Sequence, residues 1–162
     1  MFVVTYSYMK TIMKTKILTL IALLLGTAGI ALADHHGNTI ELTGNDTMQF
    51  SSKAFEVAVG EEITLVFKNL GTLPKVAMGH NVVILKPGTQ PAAFGMAAIS
   101  AAANEYIPQD EANKALVIAH TKLLGPGETD TITFTLTEAG SYPYICSFPG
   151  HFGLMSGIIT AK

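Results

Sequence analysis

The sequence contains no arginine, and only 14% of its 162 residues are charged. Ten lysines face 12 acids, a formal net charge of −2. Nucleic-acid binding rewards a cationic surface, so this composition argues against it. Cysteine occurs once, as Cys146. A lone thiol excludes an intramolecular disulfide, a zinc ribbon and a CxxC redox pair. What remains is an ordinary globular domain with one thiol that needs a reason.

Long hydrophobic runs are also scarce, with one exception. Residues 17–33 are almost continuously apolar or small, follow Lys14 and Lys16, and end in Ala31-Leu32-Ala33. A basic start, an apolar stretch and a small-x-small end read as a secretory signal peptide spanning residues 1–33. An uncleaved membrane anchor is the alternative, disfavoured by the small residues and the polar stretch that follows. With no cysteine near the cleavage point, a lipoprotein anchor is excluded there. Residues 1–12 fit a leader poorly, and Met13 is the expected start. The expected processed chain, residues 34–162, is a single domain with seven lysines against 12 acids, a net charge of −5. No stable membrane insertion is expected after cleavage.

Past the leader the pattern is mostly strand. Ile40 and Leu42 alternate with polar residues, as do Phe55, Val57 and Val59, then Ile63, Leu65 and Phe67, then Ile132, Phe134 and Leu136, then Tyr142, Tyr144 and Cys146. Residues 82–85 and 116–119 are short unbroken apolar runs, and Ile158-Ile159 opens a last strand. Gly and Pro clusters separate them. Short strands with regular turn signals predict an all-β antiparallel sandwich or barrel. The alanine-rich stretch from Pro91 to Ala103, continuing to Asn104-Glu105, predicts a helical insertion, extended by residues 109–114.

The chemistry gathers near residue 150. Cys146, His151 and Met155 place a thiolate, an imidazole and a thioether within ten residues, and Pro149-Gly150 lets the loop fold back. Soft sulfur with imidazole suits copper, above all Cu(I), and two histidines, one cysteine and a weak axial methionine form the blue-copper set. Gly79-His80-Asn81, just ahead of the run 82–85, offers the second histidine. The plain alternative makes Cys146 a small buried hydrophobe, His151 a loop residue and Met155 core filler. The match at His80, independent of the loop, weighs against it.

These segments, together with Gly44-Asn45-Asp46, Met48-Gln49-Phe50, Leu73-Pro74-Lys75, Met78 and residues 117–122, resemble the azurins of the cupredoxin family of type 1 copper proteins. The resemblance spans residues 40–162. It implies a Greek-key β-sandwich of about eight strands with a helical flap. It also implies one copper ion held by His80, Cys146 and His151, with Met155 and the Gly79 carbonyl as weak axial contacts. Asn81 would hydrogen-bond across to the ligand loop near Ser147, an outer contact that orients the ligands. The implied partners are c-type cytochromes or copper-containing reductases, docked transiently. The sequence departs from the family in three places. The azurin disulfide positions fall near His36 and Glu61, so a looser N-terminal hairpin is expected. The tryptophan inside the sandwich is replaced by an aliphatic residue, read as Val83. The loop before Leu73-Pro74 is shorter by one residue and lacks a histidine.

The favoured reading is a non-enzymatic periplasmic carrier that shuttles single electrons by Cu(II)/Cu(I) cycling. His151 is expected to offer an exposed edge, ringed by Leu73, Met78, Pro149 and Phe152. A small apolar patch suits brief docking. A copper-delivery or buffering protein is the alternative; it would use exchangeable ligands. A Cys-His nucleophilic enzyme would need an accessible, activated thiolate. His120 reads as a surface or turn residue. After cleavage, Asp34-His35-His36 would offer a free amine and a third-position histidine to Cu(II) or Ni(II), ions that favour square-planar nitrogen ligation. A frayed polar tail is the favoured reading of that segment.

Overall fold

Alternating side chains bury one face of each long strand. In β1 (Thr39–Asn45) Ile40, Leu42 and Gly44 face inward, and in β4 (Glu62–Asn69) Ile63, Leu65, Phe67 and Asn69 do so. The computed structural model describes residues 38–162; the leader and the Asp34-His35-His36 segment lie outside them. Among the described residues the other strands are β2 (Gln49–Phe50), β3 (Ala54–Val57), β5 (Val83–Leu85), β6 (Val117–His120), β7 (Thr129–Thr135), β8 (Gly140–Ile145) and β9 (Ser156–Ala161). They form two sheets, ordered β2-β1-β4-β7 and β3-β9-β8-β5-β6. The ninth strand beyond the expected eight is the two-residue β2, which pairs with β1 at only two positions.

The sandwich is not purely antiparallel. β1 pairs with β4, and β3 with β9, in parallel. The chain leaves the first sheet after β2, enters the second as β3, and returns as β4 beside β1.

The core between the sheets holds Leu42, Phe50, Ile63, Leu65, Phe67, Val82, Ile84, Tyr144 and Ile159. Phe50 meets Phe67 edge-on at 5.8 Å and Tyr144 at 5.4 Å, pairs worth about 0.5–1.5 kcal/mol beyond their area. The only cysteine among the described residues is the free, buried Cys146, so packing stands in for a disulfide.

β5 is buried on both faces. Val82 and Ile84 point into the sandwich, while Val83 and Leu85 pack outward against Phe94, Ile107 and Ile145. The residue lying inside the sandwich is therefore Val82, not Val83 as the sequence reading has it.

Among the described residues three short helices punctuate the strands: α1 (Lys75–Met78), α2 (Pro91–Ala98) and α3 (Glu111–Lys114). The expected insertion is helical but broken. α2 gives way to a 3-10 turn over Ile99–Asn104, and Glu105 (φ 55°) and Tyr106 (φ 63°) then take left-handed conformations that end it. α3 starts afresh on Asp110, whose side chain accepts from the Asn113 N–H at 3.0 Å.

Candidate metal centre

β8 runs into Cys146 and β9 leaves from Ser156, so the loop between them is closed at its base. The Cys146 N–H donates to the Met155 carbonyl at 3.0 Å. Within the loop His151 N–H donates to the Phe148 carbonyl (3.0 Å), and Leu154 and Met155 N–H donate to the His151 carbonyl (2.9 and 2.8 Å). This turn aims His151 back at the cysteine. His80 comes from the other side, 66 residues earlier, and is held by two backbone hydrogen bonds exchanged with Leu124 (3.1 and 2.7 Å).

The three side chains converge. The Cys146 Sγ lies 3.9 Å from His80 Nδ1 and 3.6 Å from His151 Nδ1. All three donor atoms lie within 4.8 Å of one another, and all three residues are buried. The imidazole centroids are 4.9 Å apart. Met155, also fully buried, closes one side: a Cβ on Gly44 would stand 3.1 Å from the Met155 methyl and 3.5 Å from His80 Cδ2. A side chain at this point in β1 would press on the thioether methyl, so the glycine leaves Met155 and His80 room against the sheet. Gly79 is more tightly confined, since a Cβ there would lie 2.7 Å from the Lys75 carbonyl and 3.0 Å from Leu123 Cγ.

The electrostatics fit a cation. Burial pushes the Cys146 thiol up to about 12, although the backbone N–H groups of Asn81 and Phe148 pull the other way. Burial lowers His151 to about 4, helped by the neighbouring His80, and lowers His80 as well. The His80 Nε2 is buried without a hydrogen bond of ordinary geometry, and a looser contact with the Asn45 carbonyl offsets part of its desolvation. Two neutral imidazoles and a thiol thus face one another at distances too long for strong hydrogen bonds. Bonds of about 2.0–2.3 Å from one ion would separate such donors by about 3.5–4 Å, the spacing seen here. A bound metal deprotonates a coordinating thiol, which removes the cost that burial places on the thiolate.

Asn81 joins the two halves. Its Oδ1 accepts from Ser147 N–H at 2.8 Å, and its Nδ2 donates to Ser147 Oγ at 2.8 Å and to the Glu105 carbonyl at 3.1 Å. Phe148 lies over His151, with centroids 4.6 Å apart.

Other expectations fare differently. His151 is only 3% exposed, so it offers a sliver of surface rather than an open edge; Phe148 and the loop turn cover it. Leu73 is exposed, while Met78, Pro149 and Phe152 are half-buried. Phe152 is held by Gly95 of α2, where any Cβ would strike its ring. The sequence reading misses Val76 and Leu154, at 89% and 54% exposure the more open apolar residues beside the ligands in the chain. Val76 lies on a short helix with no buried residue. His120 sits exposed at the end of β6, away from the cluster, its Nδ1 3.1 Å from the Thr121 carbonyl.

The model of the copper-binding proteins of the plastocyanin/azurin family matches residues 38–162. An azurin of Alcaligenes faecalis is 41% identical over 124 residues, covering 74% of this chain and 94% of that one. Two solved structures are similar. One is dithionite-reduced auracyanin from Roseiflexus castenholzii (TM-score 0.68, 37% identity, 77% of this chain and 97% of that one). The other is an azurin from the methylotroph Methylomonas sp. strain J (TM-score 0.66, 32% identity, 76% and 97%). The chain belongs to the plastocyanin/azurin family of copper-binding proteins. Its fold is the cupredoxin sandwich, its cofactor is copper, and its class is that of the blue copper electron-transfer proteins.

Proposed function

We propose that this protein is a periplasmic shuttle for single electrons, with one type 1 copper ion held by His80, Cys146 and His151. Met155 and the Gly79 carbonyl would be the weaker contacts to it. The observation that carries this reading is the buried convergence of one sulfur and two imidazole nitrogens, held by two backbone clamps and the Asn81 side chain. When bound, copper supplies the one-electron chemistry. The protein's own part is to hold a thiolate and two neutral imidazoles in fixed positions and to exclude water from them. Fixed ligands limit rearrangement between oxidation states, and the apolar surroundings of the sulfur tune the potential. Burial of all three ligands favours a held ion over an exchangeable cargo. It also argues against a nucleophilic Cys146, since a thiol raised to about 12 is no ready nucleophile.

Redox partners such as c-type cytochromes or copper-containing reductases would dock transiently on the apolar surface near the ligand loop, where Leu73, Val76 and Leu154 are exposed. The leader at residues 1–33 supports export, and residues 34–162 form the copper domain in this reading. No helix among the described residues is long and apolar enough to cross a membrane. The test is optical. Copper-loaded protein should show an intense visible sulfur-to-copper band that bleaches on reduction and is missing in Cys146→Ser. A copper complex without that band in the wild-type protein would overturn the ligand assignment.

A further inference from the structure

We propose that Glu105 and Tyr106, which end the helical insertion, are positioning residues that buttress the metal centre from outside. The inference rests on the ligand reading above. Both residues have positive φ, at 55° and 63°. Neither is a glycine or an asparagine, the types that tolerate this region, and such a conformation costs on the order of 1–3 kcal/mol per residue. A pair of adjacent strained residues persists only where its surroundings over-determine it.

The surroundings here are the neighbours of the ligands. The Glu105 carbonyl accepts from Asn81 Nδ2 at 3.1 Å, and Asn81 in turn grips Ser147, next to Cys146. The Glu105 carboxylate accepts from the Leu123 N–H at 3.1 Å. Leu123 packs against Gly79, where a Cβ would come within 3.0 Å of its Cγ. The Tyr106 ring meets Phe148 edge-on at 5.0 Å, and Phe148 covers His151 at 4.6 Å. Two consecutive residues therefore press on the neighbours of Gly79, Cys146 and His151 together. A relaxed right-handed turn would aim the Glu105 carbonyl and the Tyr106 ring elsewhere.

Surface charge is not the reason for the arrangement. Lys75 pairs with Glu105 at 3.7 Å with both side chains about two-fifths exposed, and such pairs contribute little. Nor does the end of an alanine-rich turn require a strained pair, since helices usually close on one left-handed glycine. Contact with the neighbours of three ligands is what distinguishes this turn.

Copper-loaded wild type, Tyr106→Phe and Tyr106→Ala are compared for the rate of copper release to a chelator and for the position and intensity of the visible band. Outer contacts of this kind typically change metal affinity by about 10–100-fold. Tyr106→Ala should release copper about tenfold faster or more, with an altered band. Tyr106→Phe keeps the ring and should match wild type. If Tyr106→Ala does not fold, Tyr106→Leu, which keeps apolar volume but not the aromatic edge, takes its place with the same expectation. Metal-free urea unfolding of each variant separates a general loss of stability from loss of positioning. Unchanged release and band in a folded ring-less variant would overturn the inference while leaving the ligand reading intact. Failure of the wild type to bind copper at all would overturn both.

Discussion

Asn81 ties the segment carrying His80 to the loop carrying Cys146 without itself being a ligand in the proposed set. It carries three hydrogen bonds of 2.8–3.1 Å and no surface exposure. Replacement by leucine would leave the Ser147 N–H buried and unpaired, which costs about 1–3 kcal/mol. Asn81→Leu should therefore lower the urea midpoint of the metal-free protein and weaken copper binding by about tenfold or more. Equal midpoints and equal affinities would show that Ser147 finds another partner. Asn81 also shows which parts of a site can be read in advance. The residue stands next to His80 in the chain, so a family pattern exposes it. Glu105 and Tyr106 carry no such mark: left-handed backbone is ordinarily announced by Gly or Asn, and here it falls on a glutamate and a tyrosine.

Among the elements, the loop after β4 is held by a side chain rather than by strand pairing. Asp46, in the turn after β1, accepts from Thr72 N–H (2.8 Å), Thr72 Oγ1 (2.9 Å) and Leu73 N–H (3.4 Å). These bonds hold its carboxyl below the usual range, the Thr72 N–H above all. Asp46→Ala should raise hydrogen exchange at the Thr72 and Leu73 amides while leaving β4 amides protected; unchanged exchange at Thr72 would refute the clamp. The strands themselves were legible wherever one face is wet, because alternation then reports the buried side, as in β1, β4 and β7. β5 was legible as a strand but not as an orientation. Buried on both faces, it has no alternation to show whether Val82 or Val83 points inward. The alanine-rich insertion was legible as helix from propensity, but its break depends on contacts made from Glu105 and Tyr106 to residues distant in sequence. The candidate ligand loop stood out most in the sequence, because Cys146, His151 and Met155 occupy one continuous stretch.

For the molecule as a whole, the two buried histidines set an acid limit on the metal-free fold. Both are lowered by burial, His151 to about 4. An unfolded chain has ordinary histidines near 6.5, so between these values it binds more protons than the folded one. Stability contributed by His151 is fully present above about 6.5 and is lost as the pH falls toward about 4. The loss is on the order of 2 kcal/mol. Urea midpoints of metal-free protein at pH 7 and pH 4.5 test this, and equal midpoints would refute it. Copper held as proposed would occupy the same nitrogens, so the loaded protein should hold its midpoint over that interval.

The parallel pairing of β3 with β9 is the most distant in sequence among the described strands. It joins Ala54 to Ile158, near the two ends of the described chain, and β9 also pairs with β8. Closing so long a loop carries an entropic cost before any contact repays it, and folds dominated by such distant pairings reach the native state in milliseconds to seconds rather than microseconds. β9 anchors the loop that holds Cys146 and His151. Without this strand the second sheet is incomplete and the base of the ligand loop is not closed. A chain emerging residue by residue would present a sulfur and two imidazoles, far apart and solvent-accessible, to any metal or oxidant it meets before closure.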